Sequence, residues 1–567
     1  MLHLKQLKHL DLSNNDFGGI KIPGFIGSLK NLRYLNLSRS RFGGTIPPQL
    51  SELRILSLGN FYSAFMEEEL TSMRNMHWLS SLHRLHHLDM SGVDLSKVTD
   101  WLQPSGNNFM DSSLVLKGLS SVGRNLISLD ISFCGISTSV LDALHNLTSL
   151  LSLDLSRNEL TKTISKSFAN LCNLRRINLE ENYFSNISLT SVVESFFECK
   201  LPRLESLYLG SSRLSGQLPY EIGGLTYLVD LQLGNNGLVG MIPDSVGRLS
   251  SLETLGLSDN QLKGSLPDGV GQLSKLVVLD ISNNLLTGVL TKSHFVKLVR
   301  LKILMGSGNN LTLRSRLANW IPSFRLLMLA LNSWDLGPQF PSWLQVHMDL
   351  IYLDISNARI SSTMPDSFWR SFPNLSYLDM SQNHIHGILP GILAPLEVLD
   401  VSSNEFGGPL PQLSNSSLPL ILDLSNNSFS GSLRHLLCAK SEKGLAVLNL
   451  ANNHLSGVIP DFWQKWPRLS FLNMENNNLS GTIPTTLGSL SSLGSLNICF
   501  TNFVFLTGKE TNSKDEFNFS PYEDMDALGS ASLVIKGRED TYSTILGLVM
   551  ALDLSCNNFS GQILINS

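Results

Sequence analysis

The residues able to do acid–base, metal or redox chemistry are plentiful in this 567-residue chain, with 13 His, 6 Cys and 47 Asp and Glu, so their spacing decides what they do. His83 and His87 stand four apart, which on a helix would make a metal pair. Here they fall in a strand-and-loop repeat, and with His86, His384 and His386 they read as ordinary surface residues. The cysteines, at 134, 172, 199, 438, 499 and 556, form no C-x-x-C pair, which excludes the zinc and redox-motif readings. Cys172 and Cys199 lie close to one repeat apart and could bridge neighbouring turns; buried free thiols are the alternative. Aspartates 11, 154, 280, 354, 379, 400, 423 and 553 recur singly, as a ladder and not as catalytic pairs. No kinase loop, nucleophile elbow or P-loop is present. The expectation is therefore no catalytic residue, no metal, no cofactor and no enzyme activity.

Recognition chemistry remains. Arg175, Arg176, Glu180, Glu181, Tyr208, Asp230, Gln232 and Thr254 cluster mid-chain, and Tyr352, Tyr377 and Phe471 follow as aromatic anchors. Arg and Tyr are favoured at interface hot spots. What could position them is a repeat, L-x-x-L-x-L-x-x-N, as in Leu228-Val-Asp-Leu-Gln-Leu-Gly-Asn-Asn236 and Leu252-Glu-Thr-Leu-Gly-Leu-Ser-Asp-Asn260. Its last position runs through Asn15, Ser40, Phe61, Val93, Cys134, Asn158, Asn182, Ser212, Asn236, Asn260, Asn284, Asn309, Trp334, Ala358, Asn383, Asn404, Asn427, Asn453, Asn477, Thr501 and Asn557. Leu-x-Leu alternation predicts a short strand with leucines inward and the x residues on an open face, where the candidate binding residues lie. The Asn amide can satisfy turn backbone that would otherwise be buried unpaired. Ser40, Ser212, Thr501 and Cys134 could do part of that work; Val93, Trp334 and Ala358 could not, so irregularity is expected there. A second signature, G-x-[I/L]-P, follows at Gly216–Pro219, Gly240–Pro243, Gly264–Pro267, Gly387–Pro390, Gly457–Pro460 and elsewhere. Gly permits positive φ and Pro stops strand pairing.

A single repeat cannot bury its own leucines, but stacked neighbours make a continuous core. That accounts for 42% hydrophobic residues with only 16% charged. The same balance excludes disorder, and a net charge of −5 argues against a polybasic nucleic-acid binder. The longest apolar run, 545–552, falls short of the about 18 residues a membrane span needs.

Two interruptions break the period, and insertions in solenoids often face ligand. The boundaries read as repeats over 1–59, an irregular loop-out over 60–119, repeats over 120–502, an island over 503–545 and a repeat over 546–567. The first interruption carries Trp78, Trp101 and Glu67-Glu68-Glu69, and the stretch 104–124 also fits no repeat. The second stretches the step between Thr501 and Asn557 to 56 residues.

The combined motif L-x-x-L-x-L-x-x-N-x-L-x-G-x-I-P resembles the plant-specific class of extracellular leucine-rich repeats. The fold class implied is an α/β-type solenoid, a curved superhelix with a parallel concave sheet, interrupted by an island. The run Lys536-Gly-Arg-Glu-Asp-Thr-Tyr542, leading into Leu552-Asp-Leu-Ser, is similar to the end of the island of plant receptor-like proteins. The opening repeats and Leu95-Ser-Lys-Val-Thr-Asp-Trp-Leu-Gln103 resemble the subgroup containing the ethylene-inducing xylanase receptor. That subgroup often has a Tyr where this chain has Ala527.

The resemblance implies a cell-surface receptor in plant defence, without a kinase, that binds an extracellular peptide or protein and signals through adaptor and co-receptor leucine-rich-repeat kinases. Lys536, Gly537, Arg538, Glu539 and Tyr542 are the island residues expected to dock such partners. The alternatives are a secreted inhibitor of microbial cell-wall-degrading enzymes, whose shorter uninterrupted array fits less well, and a non-signalling fragment or decoy. Localisation is expected at the extracellular face of the plasma membrane. No signal peptide or capping cysteines precede the first repeat and no span follows the last, so the chain reads as an ectodomain fragment. Sequons fall at Asn36, Asn146, Asn186, Asn310, Asn374, Asn415, Asn426, Asn478, Asn518 and Asn558. Of these, Asn36 lies on the open strand face, where a glycan would disfavour protein binding.

Overall fold

A computed structural model describes residues 4–43, 46–60, 77–96, 124–137, 141–144, 146–161, 168, 170–199, 203–313, 320–413, 419–437, 444–461, 463–481 and 483–498. For 77, 142–143, 435, 437, 502–503, 531–535, 538–542 and 551–553 it describes backbone alone. The chain divides into two compact units, Met1–Leu301 and Lys302–Ser567.

Within the first unit, three-residue strands recur once per repeat: His9–Asp11, Tyr34–Asn36, Ile55–Ser57, His87–Asp89, Ser128–Asp130, Ser152–Asp154, Arg176–Asn178, Ser206–Tyr208, Asp230–Gln232, Thr254–Gly256 and Val278–Asp280. They pair in parallel with leucine opposite leucine, as in Leu10↔Leu35, Leu88↔Leu129 and Leu231↔Leu255. The middle residue of each is buried from the second strand onward, and its neighbours are mostly half-exposed. The register thus stacks one leucine per turn against the next; burying such a side chain stabilises by about 1.5–3 kcal/mol. A second parallel sheet runs through Ser215–Gln217, Gly237–Gly240, Gln261–Gly264 and Leu285–Val289. Short 3₁₀ turns follow the prolines at 219, 243 and 267. The longest helix among the described residues, Leu189–Phe197, starts where the Ser188 side chain accepts from the Ser191 N–H. A disulfide joins Cys172 to Cys199, with Cα atoms 5.3 Å apart. Cys134 is a buried free thiol, and the other three cysteines lie outside the described residues.

The second unit repeats the plan through Ile303–Met305, Met328–Ala330, Tyr352–Asp354, Tyr377–Asp379, Val398–Asp400, Ile421–Asp423, Val447–Asn449, Phe471–Asn473, Ser495–Asn497 and Ala551–Asp553. In the ladder Ala551 pairs with Ser495. Between them in sequence Asn502–Phe503 pairs in parallel with Asn478–Gly481, and Ala531–Ile535 and Arg538–Tyr542 form an antiparallel pair, the opposite sense to the repeat strands described.

The asparagine ladder is observed atom by atom. Asn260 Nδ2 donates to the carbonyls of Leu257 and Ser258 in its own turn and of Leu233 in the preceding repeat, while its Oδ1 accepts from Leu238 N–H. Each amide therefore ties two turns together through groups that would otherwise be buried unpaired. Ser212 partly replaces it, donating to Leu179 and Gly210 carbonyls, and the Cys134 thiol donates to Met90 O at 3.1 Å. The residue before the ladder position sits in the left-handed region, with φ near 50° at Asn235, Asp259, Asn283 and Glu181. Asn and Asp tolerate that conformation, which explains their frequency there.

The expected irregularity is found at Trp334 and Ala358 in the second sheet. There Asn310–Thr312 and His386–Ile388 are joined to the intervening turns only by the isolated bridges Thr312↔Asp335 and Thr363↔His386, and the Gly337–Pro338 peptide is cis. The leucine ladder is unbroken at all three positions, Val93 included. Leu88, Leu329 and Leu353, the strand residues before them, keep leucine partners on both sides. The reason is clearest at Trp334, whose indole N–H donates to Gly306 O at 2.7 Å, the same carbonyl Asn309 takes at 2.9 Å. Gly306 is needed there, because a Cβ would lie 2.5 Å from the indole. Within 60–119, His87–Asp89 is a regular ladder strand, and 61–76 and 97–119 lie outside the described residues.

Glycine in G-x-[I/L]-P has two duties. Gly264 has φ +84°, and a Cβ there would meet Met241 Cγ at 3.0 Å. The x residue of one repeat thus covers the glycine of the next.

Candidate functional site

Strand pairing gathers the mid-chain candidates of the first unit into two rows. Arg176, Ser206, Asp230 and Thr254 lie opposite one another, as do Asn178, Tyr208, Gln232 and Gly256. Arg175, just before its strand, pairs with Glu205 at 2.9 Å, and Glu181 pairs with Arg157 at 2.9 Å. Exposed pairs of this kind contribute about 0–1 kcal/mol, so they orient side chains more than they hold the fold. Glu180 is half-buried, and burial followed by the charges of Glu181 and Asp154 pushes its carboxyl up. The Tyr208 phenol is raised by burial and then by Asp230. Gln232 lies over Gly256, where a Cβ would meet its Oε1 at 1.9 Å. Earlier in this unit Asp89, Asp130 and Asp154 face one another, and burial lifts Asp130 to about 6. Ser57 and Asn178 donate to the ends of that run.

In the second unit Tyr352 stacks on Tyr377 with ring centroids 4.2 Å apart. Tyr377 is only 8% exposed and Phe471 4%, so two of the three expected aromatic anchors are buried instead of presented. The neighbouring strand is close enough for ring to lie on ring, which covers Tyr377. Beside these rings runs a row the sequence shows only as a recurrent Asp: Asp354, Asp379, Asp400 and Asp423 face one another across four strands. Each Oδ1 accepts the N–H of the Ser two residues on, at 2.8–2.9 Å. Burial, then the Asp379 charge, lifts Asp354 to about 7. Asp379 and Asp423 are raised by burial, and Asp400 well above the usual range by burial and by both neighbours. The same burial pushes the Tyr352 phenol up to about 12.

Sequence reasoning missed a buried histidine and two cation–π pairs. His347 is fully buried, stacked on Phe324 and edge-on to Trp343, and burial followed by the Arg325 charge lowers it to about 4. It stands where other repeats place a leucine after the 3₁₀ turn, such as Leu249 and Leu273, and that substitution was its one visible signal. Arg213 lies over Tyr183 and Arg248 over Tyr220, 4.7 and 4.9 Å from the ring centroids.

Among the described residues no group of three or more His, Cys, Asp or Glu could hold a metal ion. His384 pairs with Glu405 at 3.1 Å. Among the described sequons Asn146, Asn186, Asn310, Asn374, Asn426 and Asn478 are exposed; Asn36 is half-buried and donates to Asp11. Asn415, Asn518 and Asn558 lie outside the described residues, as do Lys536 and Gly537, and only the backbone of Arg538, Glu539 and Tyr542 is described.

Family models described as leucine-rich repeat match residues 202–262 and, for a second model, 6–29, 31–53, 125–147, 149–171, 374–396, 444–466 and 468–490. Receptor-like protein EIX2 of Solanum lycopersicum is 36% identical over 184 residues, covering 32% of this chain and 18% of that protein. Receptor-like protein EIX1 of the same species is 40% identical over 125 residues, 22% of this chain and 12% of that protein. Leucine-rich-repeat models thus match stretches throughout the chain, and parts of it are similar to plant receptor-like proteins. Its matched stretches span about a fifth or less of those relatives' length. Among solved structures, the ectodomain of the Arabidopsis receptor kinase HAESA, in complex with an IDA peptide hormone, aligns with TM-score 0.67 at 26% identity. That alignment covers 88% of this chain and 84% of HAESA's, so the fold is that of plant leucine-rich-repeat ectodomains. Among the described residues no helix is long and apolar enough to cross a membrane.

Proposed function

We propose that this chain is the ligand-recognising part of a receptor-like protein, which binds an extracellular peptide or protein on its open strand faces and signals through partner receptor kinases in plant defence. The observation that carries the reading is the contrast between a repetitive back and a varied front. Inward positions are leucine almost throughout, while the first open position of neighbouring strands, as at Arg176, Ser206, Asp230 and Thr254, differs from repeat to repeat. A purely structural solenoid has no need of that variety; a recognition surface does. Likeness to the tomato receptor-like proteins and to an ectodomain solved with a peptide hormone supports the same reading.

Arg176, Tyr208, Asp230, Gln232 and Thr254 are the contact residues proposed for the first unit, and Tyr352 for the second. The antiparallel pair at Ala531–Ile535 and Arg538–Tyr542 is the proposed docking element for partner kinases.

The test is expression of the protein in leaves and challenge with fungal and bacterial culture filtrates. A rise in the oxidative burst that depends on the protein and is lost in Tyr208→Ala or Tyr352→Ala is expected. No protein-dependent response to any filtrate, together with inhibition of a secreted cell-wall-degrading enzyme, would overturn the receptor reading in favour of an inhibitor.

A further inference from the structure

The chain carries a net charge of −5, yet one edge of the first unit is strongly positive. The residues just before its first four strands are Lys8, Arg33, Arg54 and His86. They follow one another rung by rung: the Arg33 N–H donates to Lys8 O, Arg54 to Arg33 O and His86 to Arg54 O, at 2.8–2.9 Å. Lys8, Arg33 and Arg54 are exposed and His86 is half-buried. A second rank, Lys5, Lys30 and Arg124, is exposed three residues before the first, second and fifth positions of that row.

Further along this unit the same row balances its own charge. Arg175 takes Glu205 at 2.9 Å, and Glu253 takes Arg300 at 3.6 Å. Within 4–9, 29–34, 50–55 and 82–87 the one carboxylate is Glu52, and Arg84 takes it. Lys8, Arg33 and Arg54 thus have no ion pair among the described residues. Asp11 and Asp89 stand on third strand positions, where Ser13 and Asn36 donate to the first and Ser91 and Ser57 to the second. The cations of the row act on one another: burial, then the charges of Arg54 and His87, lowers the His86 imidazole. Like charges one strand apart are unfavourable until an anion lies along them.

We propose that this edge binds a linear polyuronide, a polysaccharide with one carboxylate on each sugar, laid across the first strands with its anions on Lys8, Arg33 and Arg54. The site lies apart from the contact residues named above and does not depend on the receptor reading. Spacing selects the polymer. Neighbouring strands are about 4.8 Å apart, close to the advance of one pyranose ring, so each rung meets one sugar. An extended peptide advances about 3.3 Å per residue and a nucleic-acid strand about 3.4 Å per phosphate, so neither keeps step with the cations. Guanidinium groups hold carboxylates through two parallel hydrogen bonds, which suits Arg33 and Arg54. Beside the cations run His9, Tyr34 and Ile55, with His9 stacked on Tyr34 at 3.8 Å between centroids. Those rings and methyl groups offer apolar surface to the C–H face of a sugar.

The experiment is calorimetric titration of the full 567-residue chain with galacturonan oligomers, the fully methyl-esterified oligomers serving as the uncharged control. Binding of the acid form that weakens as salt is raised, and none of the ester, is expected. The double variant R33Q/R54Q should lose about tenfold or more in affinity, with R248Q/R300Q, which removes equal charge from the same unit, within about twofold of the parent. All four arginines are exposed, and an undiminished melting temperature separates lost binding from lost fold. Equal binding of the ester, or indifference to R33Q/R54Q, would overturn the proposed contacts. Equal affinity for single-stranded DNA or polyglutamate of matched charge would overturn the polyuronide as the occupant. No binding of the acid form at low salt would overturn the site and leave the receptor reading, tested at Tyr208 and Tyr352, untouched.

Discussion

The two units carry the same acidic row in different settings. Asp89, Asp130 and Asp154 are bounded by Ser57 and Asn178 and flanked by His87 and Arg176. Asp354, Asp379, Asp400 and Asp423 are flanked by aromatic and aliphatic residues and relieved at one end alone, where Asn449 donates to Asp423 at 2.9 Å. Inward leucines and amide ladders are alike in both. The lesson is that the repeat separates duties. Leu and Asn carry packing and backbone satisfaction, so the x positions can drift in polarity without disturbing the fold.

The comparison can be broken first at the back. Leu255→Ala in the first unit and Leu399→Ala in the second should each cost about 2–5 kcal/mol, since both are fully buried in equivalent strands. Hydrogen exchange read separately on peptides of each unit checks this, and a twofold disparity would mean that the backs are not equivalent.

A second test is confined to the later unit. His347 is held neutral by burial, with its proton affinity lowered to about 4 against 6.5 when unfolded. A base with a depressed folded pKa favours unfolding in acid, because the unfolded chain binds the extra proton; stability is therefore lost as pH falls through that window. Between pH 7 and pH 5 the loss is about 2 kcal/mol, and His347→Leu should remove it, read as a melt that no longer drops at pH 5.

The aspartate row has the opposite sign. Asp354 titrates near 7, above its ordinary 3.8, so its stabilising effect is present below 3.8 and lost as pH rises through 7. Asp354→Asn should therefore raise stability at pH 8, on the order of 1–2 kcal/mol after allowing for its partial exposure, and by little at pH 4. Asp130→Asn should show a smaller gain, completed at lower pH, since that group sits near 6. Equal gains at both sites would erase the distinction drawn between the units.

The smallest effect belongs to the exposed ion pairs. Arg157→Ala and Arg175→Ala should each cost under about 1 kcal/mol, and less in high salt, by thermal melting.

Much of this was legible in the sequence where a residue does its work locally. The Leu-x-Leu strands, the Asn turn and the positive-φ Gly each act within a few residues or on the equivalent position one repeat away, so period alone reveals them. Trp334 shows the limit. Its type argued against a ladder role, yet its indole N–H reaches the carbonyl an Asn would take, because Gly306 leaves room for the ring. His347 was missed for a similar reason: a His among loops looks like surface until Phe324 and Trp343 are seen around it. Phe471 and Tyr377 failed as anchors because alternation assigns a face without saying how closely the next strand covers it.

The sequence by itself determined the repeat, the direction each strand residue faces and the break before residue 551, because a solenoid's long-range contacts are copies of one local rule. Only the tertiary structure decided which equal-looking aspartates resist ionisation and which aromatics stay open. Those properties depend on what the neighbouring strand and its flanking row put beside each group, and burial and charge proximity are set in space, not along the chain.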